Sequence, residues 1–410
     1  MKNRQNNWQK IKLGDAVGEV RNLYNPSPGE HLKYIGLEHI KQNTLRLSSI
    51  GDSADTQSAK KFFSTNDVLF GSLRAYFRKV VKPKFNGVCS TDITVLRSKN
   101  GNDQNFLYYF IANPHFIDFA AASAEGTRMP RVSWKFLSKT QWNFPPSADQ
   151  KRISDILSAF DDKIELNNKI SKNLEQTAQV VFKEWFIKFK YPGHEKVKMV
   201  DSELGKIPEG WEVKRFGELL KLKHGYGFKS EEFGEERTNR ILVRMGNFKE
   251  TGGLQFDDNT KYLKSDTYNK KDQLLPNDLV MVLSDITRDG RIIGRVGLIP
   301  KDERVYLLNQ RVAKIEMEEK FKLFLFFYFN SKKFKEHCLS RADSATVLNL
   351  KNDHIYEIKM AIPENNILDK FNGLVLPIFK KSREIEVENQ KLTALRDLLL
   401  PKLMSGEIKV

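Results

Sequence analysis

Five polar segments carry side chains that could do chemistry on a nucleic acid. Ser72-Leu73-Arg74-Ala75-Tyr76-Phe77-Arg78-Lys79 interleaves cations and aromatic rings after a short apolar run, and Gly126 opens Thr127-Arg128-Met129-Pro130-Arg131. Lys223-His224-Gly225-Tyr226-Gly227-Phe228-Lys229 is a glycine-rich segment with the same mix. Ser284 to Arg291 and Ser344-Ala345-Thr346 complete the set. Cations clamp phosphates, and hydroxyl, guanidinium and imidazole groups offer the donors and acceptors that read base edges. The candidate contacts are Ser72, Arg74, Tyr76, Arg78, Lys79, Thr127, Arg128 and Arg131, then His224, Tyr226, Lys229, Ser284, Thr287, Arg288, Arg291, Ser344 and Thr346. Each taken singly reads as solvated surface; as a recurring set they read as contacts to DNA.

Catalytic constellations are weaker. Asn113-Pro114-His115-Phe116 lacks the second proline of the Asn-Pro-Pro-Phe motif of adenine methyltransferases, and it reads better as a helix end. No glycine-rich S-adenosylmethionine loop follows a strand, and His224-Gly225-Tyr226-Gly227-Phe228 lacks the βαβ setting such a loop needs. Asp353 with Glu357-Ile358-Lys359 is the nearest approach to a nuclease cluster. There is no Gly-Lys-Ser/Thr phosphate loop. Seven scattered histidines, with Cys89 and Cys338 far apart, give no metal-ligand spacing and fit a reducing compartment. The sequence therefore predicts no catalytic residue, no metal and no cofactor on this chain.

The chain has 410 residues and a net charge of +16, which favours a polyanionic partner. Its longest apolar run, Leu323 to Phe329, is too short to span a bilayer, and Met1-Lys2-Asn3-Arg4-Gln5 leads into no signal-like segment, so a cytoplasmic location without a membrane is expected.

The elements that must position those loops are written twice. Trp8-Gln9-Lys10-Ile11-Lys12-Leu13-Gly14-Asp15 matches Trp211-Glu212-Val213-Lys214-Arg215-Phe216-Gly217-Glu218 at an offset of 203. Asn66-Asp67-Val68-Leu69-Phe70 matches Asn277-Asp278-Leu279-Val280-Met281 at 211. Phe106 to Ile111 matches Phe324 to Phe329, and Pro145 matches Pro363, both at 218. Strands over Val68–Phe70, Ile93–Leu96, Val280–Leu283 and Arg311–Ile315, with one aromatic helix per copy, make an α+β fold.

Each copy ends in a long helical pattern. The first is expected to start at an N-cap Ser147, with Gln150 completing a capping box, and to run to about Phe189. The second is expected to start at Asn365, with Pro377 kinking it or delaying its start. Apolar positions recur every seven residues: Ile153, Phe160, Asn167, Leu174 and Val181, then Phe371, Ile378, Ile385, Leu392 and Leu399, each 218 residues after its counterpart. That repeat predicts a coiled-coil seam between two paired helices with a pseudo-twofold internal repeat, Asn167 being its one polar seam residue. Trp185, Phe186, Phe189 and Leu403 crowd the helix ends and are expected to offer surplus apolar surface to a partner. The predicted domains are 1–146, a first head; 147–190, a helix; 191–208, a polar linker; 209–364, a second head; and 365–410, a second helix and tail. A helix from Ile153 to Phe189 spans roughly 55 Å at about 1.5 Å per residue, enough to hold two heads over groove segments about 34–36 Å apart.

The terminal segment Leu395-Arg396-Asp397-Leu398-Leu399-Leu400-Pro401-Lys402-Leu403-Met404-Ser405-Gly406-Glu407-Ile408 resembles the end of type I restriction-modification specificity subunits, as does Glu184-Trp185-Phe186-Ile187-Lys188-Phe189. Asp67 to Arg74, with Cys89-Ser90-Thr91-Asp92, resembles one version of that family's target recognition domain. Asp285-Ile286-Thr287-Arg288-Asp289-Gly290, with Leu308 to Ala313, resembles another. The resemblance implies two target recognition domains joined by two antiparallel spacer helices, reading a bipartite, asymmetric site in double-stranded DNA. It implies two modification subunits that methylate adenine and restriction subunits that act as motor and nuclease, so that S-adenosylmethionine, ATP and Mg belong to the partners. The alternatives are a methyltransferase or nuclease with built-in specificity, and a helical scaffold that binds no DNA.

Overall fold

The structure is a computed structural model that describes residues 7–27, 29–257, 259–344 and 347–410. Its contacts divide the chain into two units: Met1–Lys169 with Ile385–Val410, and Ile170–Glu384. Each unit thus holds one head and part of each long helix, and neither long helix lies wholly in one unit. The helices are not separate from the heads, as the sequence-based division had them, because their apolar faces complete the head cores.

In the first unit, a four-stranded sheet places Val68–Gly71 between Val80–Val81 and Ile93–Ser98, with Val17–Glu19 at the far edge. Asn66 enters it in the left-handed region (φ 68°), and the Asp67 carboxylate accepts the Ser64 N–H at 2.8 Å. Asparagine and aspartate tolerate such turns because their short polar side chains bond the local backbone. A second sheet has five strands in the order 23–24, 60–63, 87–89, 33–35, 51–52. Helix Gln104–Ala112 buries its rings against the first sheet, and Phe106, Phe110, Phe116 and Phe144 share one core with Ile153, Leu157, Leu400 and Leu403.

The second unit repeats this plan. Leu279–Val282 lies between Val296–Leu298 and Val312–Met317, with Leu220–His224 at the far edge. Asn277 enters at φ 66°, and Asp278 accepts the Leu275 N–H at 2.7 Å. The five-stranded sheet runs 233–234, 261–263, 240–243, 305–308, 273–274. Four strands correspond between the units. The fifth sits on opposite edges: 23–24 pairs with 60–63 in the first unit, and 233–234 pairs with 261–263 in the second.

The first long helix spans Ser147–Phe182, widens into a π-turn over Lys183–Ile187, and stops where Phe189 turns left-handed (φ 58°). Ser147 does not cap it: the Pro146 carbonyl accepts from Asp149 and Gln150, the Ser147 hydroxyl donates to Gly101, and Gln150 is buried against Asp103 and Asn102. The second spans Asn365–Ser405 without interruption, so Pro377 does not delay its start. The Glu364 carbonyl accepts the first amides, from Ile367 and Leu368.

The seventh-residue positions are buried or half-buried, and each is followed four residues on by another. In the first helix the followers are Leu157, Ile164, Ser171, Ala178 and Trp185; in the second they are Val375, Ser382, Asn389, Arg396 and Leu403. Within the first unit, Asp161 meets Arg396 and Asn167 meets Glu388 and Asn389; within the second, Ser171 meets Ser382 and Phe182 meets Phe371. Rising numbers on one helix meet falling numbers on the other, so in each unit the segments run antiparallel. Among the described residues, no helix is long and apolar enough to cross a membrane.

Candidate nucleic-acid interface

Strand direction decides which loops meet. In the first unit, Lys33–Ile35 and Gly87–Cys89 run parallel and leave their sheet at the same end. Val68–Gly71 ends opposite the start of Ile93–Ser98, with Gly71 across from Ile93. Loops 36–39, 72–79 and 90–92 therefore gather at one end. The segment 125–131 joins them: the Arg74 N–H donates to Pro130 O at 2.8 Å and the Val132 N–H to Ser72 O at 3.0 Å. Glu125 and Arg131 exchange backbone bonds of 3.0 and 2.9 Å, closing a hairpin in which Gly126 takes φ 100°. That conformation suits glycine, which has no Cβ to clash.

Many of the candidate side chains are spent holding this surface together. The Ser72 hydroxyl donates to Asp92 O at 2.7 Å, and Arg131 Nε to Asp92 Oδ1 at 3.0 Å. Arg78 pairs with Asp118 at 3.0 Å. Lys79 Nζ donates to Leu37 O at 2.6 Å, and burial pushes its ammonium below its ordinary pKa. Arg74 and Arg78 both sit at φ 51°, a left-handed conformation that costs a non-glycine residue roughly 1–2 kcal/mol. Tight bonding on both sides holds them there. What remains outward is Tyr76, 51% exposed, with Thr127 and Arg128 at the hairpin tip. Among the described residues, the side chains of Thr127 and Arg128 have no hydrogen-bond or ion-pair partner.

The second unit gathers the matching end. Arg240–Val243 runs parallel to Val305–Leu308, Val282 lies opposite Val312, and His224 lies opposite Ala313. Loops 225–228, 244–247, 283–291 and 309–311 come together. The Asp285 carboxylate organises one of them, accepting from the Thr287 N–H (2.8 Å) and hydroxyl (2.7 Å) and from the Ile292 N–H (2.7 Å). Ser284–Asp285 pairs with Leu348–Asn349, which pairs in turn with Asp343–Ser344, so the backbone of Ser344 joins the same cluster. Thr346 lies outside the described residues.

The Ser284 hydroxyl donates to Asn349 at 2.6 Å, and His224 Nε2 is 2.8 Å from Asn352 Oδ1. Arg291 is held by Asp289 at 2.9 Å, which raises the guanidinium pKa and lowers that of the carboxyl. A Cβ on Gly225 would lie 2.3 Å from Leu308 O, so only glycine fits where this loop crosses the strand. Tyr226, 46% exposed, Lys229 and Arg288 point outward.

Packing and bonding bear on three other readings. Trp185, Phe186 and Leu403 are 9%, 2% and 1% exposed, and Phe189 packs on Trp211. They are core residues of their own units, not the surplus surface expected from the sequence. Asn113 caps helix Pro114–Ala122 by accepting the His115 N–H, so its amide serves the helix rather than a methyl acceptor. Lys359 pairs with Glu203 in the second unit, which takes it out of the Asp353–Lys359 cluster.

The turns at 36–39 and 244–247 were not singled out from the sequence, and Asp92 entered there only within the family resemblance, without a role. A signal existed: Lys33 to Ile40 aligns with Ile241 to Phe248 at an offset of 208, and the Gly36 and Arg244 amides donate to the equivalent side chains of His39 and Asn247, each at 2.9 Å.

The family described as "Type I restriction modification DNA specificity domain" matches residues 5–176 and again 208–395, and the chain belongs to it. The specificity subunit of type I restriction enzyme MjaIX from Methanocaldococcus jannaschii is 28% identical, over 98% of this chain and 94% of its own. That of HindI from Haemophilus influenzae is 24% identical over 98% and 99%. The crystal structure of a type I S subunit from M. genitalium shares the fold, with a TM-score of 0.57 at 18% identity, over 98% of this chain and 97% of that one.

Proposed function

We propose that this chain is the DNA-reading specificity subunit of a type I restriction-modification system and catalyses nothing itself. One observation carries the reading. The same sheet-end cluster of polar loops is built twice on matching strand order, and its outward side chains differ: Tyr76, Thr127 and Arg128 in one unit, Tyr226, Lys229 and Arg288 in the other. One frame with two different faces suits a bipartite, asymmetric site. Direct readout needs donors and acceptors at base edges, and both faces supply them beside cations for phosphate. The family and the full-length relatives support the same assignment.

The two long helices form one antiparallel coiled coil that spaces the heads with pseudo-twofold symmetry. The alternating four- and three-residue spacing of their buried positions and the antiparallel pairing inside each unit support this. Two modification subunits and the restriction subunits assemble on the chain, bringing S-adenosylmethionine, ATP and Mg.

The test is co-expression with the modification subunit, followed by sequencing of adenine methylation in host DNA. A bipartite motif in which exchange of residues 1–146 alters one half only is the expected result. A well-folded complex that methylates nothing, or a motif unmoved by the exchange, overturns the reading.

A further inference from the structure

Glu38 is out of place on a surface built for phosphate. Its side chain is 64% exposed in the 36–39 turn, beside Lys79, which donates to the adjacent Leu37 carbonyl at 2.6 Å. The charges of two lysines reach it, but neither lysine bonds it. Lys79 spends its bond on Leu37, and Lys60, also within electrostatic reach, spends its own on the Ser58 carbonyl and hydroxyl at 2.6 and 2.8 Å. Nor does His39 neutralise it. His39 Nδ1 lies 3.7 Å from Glu38 Oε1, but that nitrogen accepts the Gly36 N–H at 2.9 Å and has no proton to give.

The turn itself is preserved in the other unit, closed there by Asn247 on the Arg244 amide, yet Gly246 stands in the place of Glu38 and faces open space. The frame recurs and the acceptor does not, which is how a reading position differs from a structural one.

We infer that Glu38 is a base-reading residue of the first head, accepting a hydrogen bond from an amino group in the major groove. A carboxylate accepts only. Adenine presents its N7 acceptor beside N6, which repels a carboxylate, whereas cytosine presents N4–H₂ with no adjacent acceptor. Glu38 therefore selects cytosine, against phosphates whose repulsion the neighbouring Lys79 offsets. This rests on the chain being a specificity subunit.

The test is selection of duplexes from a randomised pool by the purified complex with the modification subunit, for wild type and Glu38→Gln. The variant is nearly isosteric, and its amide can bond adenine N6 and N7 together. The expected result is a cytosine in one half-motif of the wild type that gives way to adenine in the variant. Preference at that one position should change about 5- to 150-fold, with the other half-motif unchanged. An unchanged motif, or a variant that binds all sequences more weakly without a change at one position, overturns the assignment and leaves the specificity reading standing. A wild-type complex that selects no motif overturns both.

Discussion

At one equivalent place the two units solve the same packing problem in opposite ways. In the first, Arg396 of the second helix is 1% exposed and bonded to Asp161 and to Asp397, while the Tyr109 hydroxyl donates to the other Asp161 oxygen at 2.7 Å. Burial and Asp161 push the Tyr109 hydroxyl far above its ordinary pKa. In the second, the residues at the 218-residue offset are Ala178, Phe379 and Phe327. Phe327 packs near Phe182 and Phe371 at 6.1 and 6.2 Å, and Phe379 lies 5.3 Å from Phe326. A buried ion pair gains little over an apolar replacement of similar volume, because desolvation offsets its attraction, but breaking it strands a charge. By that reasoning the polar layer contributes less to stability than to register: Arg396 is buried at the level of the first helix where Asp161 faces it. The phenyl cluster accepts any apolar neighbour of the right size. The difference shows how two near-equivalent helix halves can each be directed to their own head.

The largest effect should come from breaking that layer on one side. Asp161→Ala leaves Arg396 half-paired in a dry site and should cost about 3–5 kcal/mol, read by denaturant unfolding of the full chain. Giving the first unit the second unit's residues, as Tyr109→Phe, Asp161→Phe and Arg396→Ala together, should cost clearly less than Asp161→Ala alone. A triple variant less stable than the single one would mean that the layer is a source of stability after all.

Next in size are the outward cations. Arg128→Ala and Arg288→Ala should each weaken DNA binding and lower the slope of log affinity against log salt by about 1 if each clamps one phosphate, without moving the unfolding midpoint. Arg78→Ala should instead lower stability, because it breaks the pair with Asp118 that holds a left-handed turn. Equal salt slopes for wild type and both exposed-cation variants would remove those cations from the interface.

The smallest effect concerns the exposed His31–Asp52 pair, which has no counterpart among the described residues of the second unit. The bond at 2.9 Å raises the pKa of His31; that of Asp52 is lowered by the Ala54 N–H and by His31. The raised imidazolium contributes stability that is complete below its unfolded pKa and fades as pH rises through the folded one. The lowered carboxylate contributes stability present above its unfolded pKa and lost as pH falls through the folded one. A His31→Gln variant should therefore flatten the slight loss of stability near neutral pH, seen as a smaller difference in Tm between pH 5 and pH 8. An unchanged profile would place the pH dependence elsewhere.

Sequence alone determined the doubled plan. Asn66 and Asn277 mark the same turn, the aromatic helices match, and a seven-residue period fixes one row of each long helix, because turn chemistry and apolar periodicity are local properties of a chain. It determined the polar loops as well, since residue type limits what a side chain can bond. The companion row, four residues further on, stayed hidden because Ser171, Ser382, Asn389 and Arg396 are polar and Ala178 is small; only a facing helix makes them interior. Tertiary structure also decided which loop cations are outward. Arg78, Lys79 and Arg131 look like Arg128 in a list of residue types, yet Asp118, Leu37 O and Asp92 engage them, and those acceptors lie up to about forty residues away in sequence. Whether a cation is free to meet a phosphate depends on what the fold brings within 3 Å of it, and no local pattern encodes that.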